Sequence, residues 1–347
     1  MSSPALRVLL VADTHLGFDL PFRPRIKRRR RGHDFFANFE RALQPALRGE
    51  ADLVIHGGDL FYRSKVPAAL VEMAMAPLLR VAEQGVPVYL VPGNHERSRI
   101  PLHLWASHPN IYIFDRPSTY LCSLVKGSVA LSGFPFQRGV RDRFGELVSQ
   151  TEHQQVTADI RLLCMHQTVE GAQVGVNDYT FRSGPDVVRG SEIPGDFRII
   201  LVGHIHRAQV LTHDLRGQPL AAPVVYPGSV ERTSFAERSE DKGYAILRMG
   251  MSGHHQGRPV DVTFVPLPAR PMVSLVIEPG KTSQESLTEH LRRQLAALDP
   301  DSVIRVHFRG PNSAQAREAL SAAQLRELAP PSMNVSLAPH RIGLSQS

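Results

Sequence analysis

The sequence predicts an α/β protein, on three observations. Apolar runs of strand length recur along the N-terminal two-thirds and alternate with helical patterns. Five of those runs end in Asp, Asn or His. The stretch FVPLPARPM, with Pro266, Pro268 and Pro271, then breaks the pattern, and a shorter set of strands and helices follows.

LRVLLVADTHLG is a strand ending in Asp13 and His15. Arg7 lies inside its apolar run and no small-residue cleavage site follows, so it does not read as a signal peptide. HDFFANFERALQPALRG has apolar residues at helical spacing, with Gly49 past its end. ADLVIHGGDLF is a second strand, ending in Gly57, Gly58 and Asp59. PAALVEMAMAPLLRVAEQG is a second helix, with Pro67 near its start and Gly85 after it. VPVYLVPGNHER is a strand ending in Asn94 and His95, and IRLLCMHQ is one ending in His166. FRIILVGHIHR closes the set with His204 and His206, which share one face if extension continues past Gly203.

Open α/β sheets place their sites beyond the carboxyl ends of strands. Asp13, His15, Asp59, Asn94, His166, His204 and His206 would converge there. Oxygen and imidazole donors without thiolates suit manganese, iron or zinc, not an iron–sulfur cluster. Seven donors exceed one ordinary site and fit two ions sharing a carboxylate. Two ions about 3.5–4 Å apart clamp an in-line displacement at phosphorus. The competing reading, turn and capping residues only, has to hold at all five strand ends at once.

A chain of 347 residues has room for two domains. Its 42% hydrophobic and 21% charged residues fit a globular protein and argue against a disordered one. No apolar stretch reaches the length of a membrane span. Cys122 and Cys164 sit in apolar, strand-like segments, so buried free thiols in a reducing cytoplasm are expected. The net charge of +7 favours an anionic partner. Much of that charge lies in RPRIKRRRRG, which follows the first motif. Lys27, Arg28, Arg29, Arg30 and Arg31 read either as a solvated loop or as a phosphate-contacting arm.

Asp-x-His at 13–15, Gly-Gly-Asp at 57–59, Gly-Asn-His-Glu at 93–96, His166 and Gly-His-x-His at 203–206 resemble the calcineurin-like metallophosphoesterases. The resemblance implies a four-layer α/β/β/α core. It implies that Asp13, His15 and His206 hold one metal, that Asn94, His166 and His204 hold the other, and that Asp59 bridges them. Two divalent ions, manganese foremost, would polarise the phosphoryl group and acidify a water. His95 would be the catalytic side chain, stabilising charge on the phosphoryl oxygens or protonating the leaving oxygen. Glu96 reads either as a carboxylate orienting His95 or as a solvent-facing residue. His56 and His33 are left out, His56 as a packed core residue.

ADTHLG, GDLF, MHQT, GHIHRAQ and YPGSVERTSFAE together look like the SbcD-type DNA-repair nuclease subunit. That resemblance implies a phosphoesterase domain over 1–268, a small α+β cap over 269–340 that helps position DNA, and a tail over 341–347. The cap reads as strand VSLVIEP, a helix capped by Thr282 or Ser283, strand SVIRVHFRG, a helix over SAQAREALSAAQLRELA, and strand MNVSLAP. The resemblance implies a metal-dependent DNA nuclease, an exonuclease with endonuclease activity open, acting in repair. A phosphatase or phosphodiesterase for a smaller substrate is the alternative, and a metal-free scaffold is disfavoured because no ligand is missing.

Two residues depart from the pattern. Tyr62 stands where many relatives carry His or Asp. Arg63 resembles the phosphate-gripping Arg of protein Ser/Thr phosphatases, and it reads equally as a surface residue. SbcD-type chains usually continue into helices that dock on an SbcC-type ATPase, and this sequence stops soon after the cap. DNA is the expected partner. The ATPase and a homodimer remain open, and no membrane partner is expected.

Overall fold

The computed structural model describes residues 5–21, 28–96, 108–251, 259–279, 284–310 and 312–339. Lys27, Thr282, Ser283 and the tail lie outside them. The chain forms two compact units, Met1–Asp19 with Gly32–Ala269, and Leu20–Arg31 with Arg270–Ser347.

The first unit contains two six-stranded sheets. One holds β1 (Ala5–Val11), β2 (Leu53–His56), β3 (Val88–Leu90), β4 (Ile111–Ile113), β15 (Gly243–Gly250) and β16 (Asp261–Pro266), in the order β16-β15-β1-β2-β3-β4. Strands β1 to β4 run parallel, and β15 and β16 join antiparallel. The other holds β5 (Ser118–Leu124), β6 (Gly127–Gly133), β7 (Ile160–His166), β12 (Ile199–Gly203), β13 (Gln209–His213) and β14 (Pro219–Tyr226), in the order β13-β14-β12-β7-β6-β5. Four two-residue strands, β8 to β11 (Thr168–Val169, Gln173–Val174, Tyr179–Thr180, Val187–Val188), pair locally.

Strand β1 is buried from Val8 to Val11, as expected of a strand covered on both faces. Leu6, Val8 and Leu10 alternate into the layer between the sheets. There they meet Leu131, Leu162, Cys164, Ile199 and Leu201 of the second sheet. Each such side chain contributes about 1.5–3 kcal/mol by leaving water. Helix α1 (Gly32–Leu47) buries Phe35, Phe39 and Leu43 and packs on β1 and β15. Helix α2 (Ala68–Glu83) buries Leu70, Ala74 and Leu78 and packs on β3. On the other side, α3 (Phe144–Gln150) brings Phe144 and Leu147 into a cluster with Leu163, Met165, Ile200 and Val202. The layers run α/β/β/α, with strands β1, β2, β3, β7 and β12 carrying the motifs at their carboxyl ends.

The second unit is a parallel sheet of β17 (Met272–Ile277), β18 (Val303–Phe308) and β19 (Asn334–Leu337). Helices α4 (Gln284–Ala296), α5 (Ser313–Ala319) and α6 (Ala322–Glu327) accompany it. Leu291, Leu295, Ile277, Ile304, Val306 and Leu325 share its core. The single helix expected over SAQAREALSAAQLRELA is two helices. Leu320 is extended, and Ser321 starts a new helix by a capping box with Gln324. The hydroxyl competes with the helix backbone, and the capped start wins.

The described part of the basic segment makes contacts within its own unit. Asp19 accepts from the Gly32 N–H, which closes the base of the Leu20–Arg31 excursion, and that segment belongs with the second unit. Arg28 donates to the carbonyls of Ala329 at 2.8 Å and Met333 at 3.4 Å. Arg29 pairs with Asp301 at 3.1 Å, and its carbonyl accepts from Asn334. Arg31 is buried, and Arg30 is half-buried. Carbonyls just past α6 need donors, and Arg28 supplies them. Arg28 and Arg29 are thus bonded within their own unit.

Candidate metal centre

Two loops of the first unit are tied together by backbone alone, and a side chain adds a third. The loops after β1 and β2 run side by side: Asp13 N–H donates to Gly58 O, His15 N–H to Asp59 O, and Leu16 N–H to Leu60 O. Glu96 then joins the loop after β3. Its carboxyl, fully buried, accepts from the N–H groups of Asp59 at 3.1 Å, Phe61 at 2.8 Å and Gly93 at 2.7 Å. Burial and the nearby Asp59 charge push this carboxyl up to about 8. Glu96 therefore neither orients His95 nor faces solvent; it fixes the loops that carry Asp59 and Asn94. The donor to Tyr62 O, at 2.6 Å, is His95 Nδ1, and this contact sets the ring.

Asp59 lies at the middle of the cluster. Its Oδ1 accepts from the His95 N–H at 2.9 Å. Its Oδ2 lies 3.4 Å from His166 Nε2, 3.8 Å from His95 Nε2 and 3.9 Å from His15 Nε2. Burial opposes the Asp59 charge, but His166, His15 and His95 outweigh it and hold this carboxyl well below the usual range. On one side, Asp13, His15 and His206 bring donor atoms within 4.8 Å of one another. On the other, Asp59, His166 and His204 do the same. Asn94 Oδ1 lies 3.1 Å from His166 Nε2 and so joins the second set. His166 Nδ1 donates to Gly57 O at 2.7 Å, which leaves Nε2 for the centre. Distance also groups His95 with His15 and Asp59.

The backbone is held where ordinary residues seldom go. Asp13, His15, Asp59 and His204 have φ of 50°, 44°, 52° and 87°. Such conformations cost about 1–3 kcal/mol each and persist only where the surroundings over-determine them. Gly93 and Gly203 allow the close approach. A Cβ at Gly93 would run into the Asp59 carboxylate, and one at Gly203 into the Gly57 carbonyl.

The donor set fits two divalent cations. It consists of buried carboxylates, an amide oxygen and imidazoles, with Asp59 reached from both sides. His15 Nε2 and His206 Nε2 face each other at 2.9 Å, so a proton or a cation must separate their lone pairs. Burial lowers His15 well below its ordinary value, with His206 adding to it, and lowers His204 to about 3. Both rings are therefore neutral at neutral pH and keep a lone pair for a ligand bond. Burial raises Asp13 to about 6. Burial also opposes a charge on His166, but Asp59 reverses the balance and pushes it up to about 9.

Sequence reasoning missed Glu237, whose Oε1 lies 3.4 Å from His206 Nδ1. The string YPGSVERTSFAE contained it, but without a role. His56 is a packed core residue, bonded to Thr14 Oγ1 at 3.1 Å and edge-on to Phe39. Tyr62 places its ring 5.8 Å from that of His95. Arg63 is exposed, with its guanidinium 5.8 Å from the Tyr62 ring. Arg28 to Arg31 belong to the second unit.

A four-layer α/β/β/α fold with two overlapping donor sets at its strand ends defines a metallophosphoesterase centre. The chain belongs to the calcineurin-like phosphoesterase family, whose model matches residues 6–208. It is 30% identical over 311 residues to the DNA double-strand break repair protein Mre11 of Haloferax volcanii, covering 88% of this chain and 61% of that one. Against the Mre11 protein of Methanopyrus kandleri it is 24% identical, covering 83% of this chain and 63% of the relative. For that of Archaeoglobus fulgidus the identity is 23%, and the shares are 91% and 71%. The chain thus spans less than two-thirds of the length of the first two relatives.

Proposed function

We propose that the protein is a dinuclear-metal-dependent DNA nuclease that hydrolyses phosphodiester bonds, as an exonuclease first and an endonuclease second, in DNA repair. One observation carries the reading: Asp59 stands between two sets of metal donors, with His95 beside it. The similarity to Mre11 proteins supports DNA as the substrate. Asp13, His15 and His206 would hold one ion, Asn94, His166 and His204 the other, and Asp59 both. Manganese suits these oxygen and nitrogen donors. The bound ions would supply Lewis acidity and a low-pKa water.

The remaining work falls to the protein's own groups. Tyr62 O fixes the His95 ring through Nδ1, so Nε2 is the atom that meets substrate. From there it can neutralise charge developing on the phosphoryl oxygens or pass a proton to the leaving oxygen. Arg63, exposed and next to Tyr62, is the phosphate contact we assign beside it. The second unit takes the place of a DNA-positioning cap. An SbcC-type ATPase and a second copy of the chain are the protein partners in this reading. Buried free thiols at Cys122 and Cys164 support a reducing, cytoplasmic setting.

A phosphodiesterase for a smaller substrate is the second reading, favoured by the engagement of Arg28 and Arg29 within their own unit. The deciding experiment offers the protein, with manganese, labelled single-stranded, duplex and hairpin DNA beside a chromogenic phosphodiester. Cleavage of the DNA supports the nuclease. Turnover of the chromogenic ester with intact DNA supports the second reading instead.

A further inference from the structure

The second unit contains a cavity of about 680 Å³ that the phosphoesterase chemistry does not use. Arg305, His307, Arg309 and Arg317 line it, with Phe308 and Pro339 among the apolar wall. Arg305 and His307 alternate along β18 with Ile304 and Val306, so they turn away from the core that holds Leu291 and Leu325. Arg309 follows the strand, Arg317 comes from α5, and Pro339 follows β19. The cavity therefore gathers residues from the carboxyl edge of a parallel sheet, where open α/β sheets bind ligands.

Its charge is one-sided. No carboxylate stands among the described residues that line it, whereas three guanidinium groups do. Partial burial holds Arg305 below its ordinary value, which an anion would offset. Guanidinium groups pair with phosphate in a bidentate fashion that ammonium groups cannot copy. The volume falls within the range of about 300–1,000 Å³ typical of small-ligand sites. Grooves for a continuous strand distribute their charge along a track; here the cations converge on one space, beside an apolar wall.

We propose that this cavity binds a nucleoside phosphate, with the phosphates on Arg309 and Arg317 and the base or sugar against Pro339 and the part of Phe308 that the core leaves uncovered. The site does not depend on the metal centre. The test is isothermal titration of the full chain with ADP, with pyrophosphate and with a single strand of about 12 nucleotides. A chelator is present throughout, so nucleotide on a metal cannot contribute. ADP should saturate one site at micromolar concentration, and Asp59→Ala should leave that binding unchanged. Arg309→Ala with Arg317→Ala should weaken it by about tenfold or more. Arg309 is exposed, so Arg309→Ala alone keeps the test readable if the double variant fails to fold. Three results would overturn the proposal: no saturable ADP binding, ADP binding indifferent to the arginine variants, or tighter binding of pyrophosphate or of the strand than of ADP.

Discussion

Glu237 holds the outer edge of the His206 ring, with Oε1 3.4 Å from Nδ1, while Nε2 on the opposite edge faces His15 at 2.9 Å. The carboxylate is itself fixed, by the Thr233 hydroxyl at 2.6 Å and by the buried Lys242 ammonium at 2.8 Å. Lys242 also pairs with Glu240 and donates to the His206 carbonyl. Ring, carboxylate and ammonium form one network that aims His206 at the centre. Burial opposes a charge on His206, but Glu237 and Asp13 outweigh it and raise its pKa above the ordinary value.

Glu237→Gln should therefore weaken metal binding by about 10–100-fold, the usual cost of losing a carboxylate behind a ligating imidazole. Activity should fall at limiting metal and recover when metal is in excess. Titration calorimetry with manganese measures the first effect directly. An affinity equal to that of the unaltered protein would remove the positioning role.

His95 presents a different case. Its Nδ1 is committed to Tyr62 O and its ring is partly exposed, whereas His166, in the second donor set, is fully buried. His95→Gln should keep both metals and lower turnover of a phosphodiester by about 10²–10⁴-fold. Metal content and rate have to be read on the same sample. Loss of metal in step with activity would show that His95 is a ligand instead.

Far from the centre, Asp52 gives a pH prediction with a clear sign. It accepts from the Arg7 N–H at 2.8 Å, the Arg7 guanidinium at 2.7 Å and the Lys126 ammonium at 2.9 Å. Burial opposes its charge, but these donors win and lower its pKa. A depressed carboxyl stabilises the fold above its unfolded value of about 3.9, and that contribution is lost as pH falls through the folded value. Arg7 is partly exposed, so after solvent screening the network contributes about 1 kcal/mol. Asp52→Asn should lower the melting temperature by about 2–4 °C at pH 7. The difference should shrink as pH falls below about 3.9 and the carboxylate takes up its proton, and a difference that stays constant into strong acid would contradict the assignment.

The metal donors were legible in the sequence because each follows an apolar strand within a few residues. Local pattern sufficed to nominate Asp13, His15, Asp59, Asn94, His166, His204 and His206 as candidates. The groups that hold those donors and His95 were not legible. Glu237 reaches His206 across a long connection, Tyr62 acts through a carbonyl that every residue has, and Glu96 binds backbone rather than His95. The split at Ser321 was written in the sequence as Ser-Ala-Ala-Gln, but continuous apolar spacing through 313–329 hid it. The partners of the basic run were hidden for a similar reason: a string of arginines does not reveal which carbonyls it will meet.

Arg28 tests that last point. The sequence reading makes it a phosphate contact, and in that role each contact removed should flatten the log–log salt dependence of DNA binding by about one unit. The structure gives its guanidinium to two carbonyls of its own unit, Ala329 O and Met333 O. Those neutral carbonyls leave its charge intact, but they fix the group against its own unit, and in this reading it makes no phosphate contact. Arg28→Ala would leave those carbonyls without their charged donor, at a cost of about 1–3 kcal/mol for partly buried groups. Arg28→Ala should therefore lower the thermal stability of the chain while leaving the salt slope of DNA binding unchanged. Melting curves read the first effect, and titrations at several salt concentrations read the second. A flattened slope with an unaltered melting temperature would return Arg28 to the substrate and take it away from the fold.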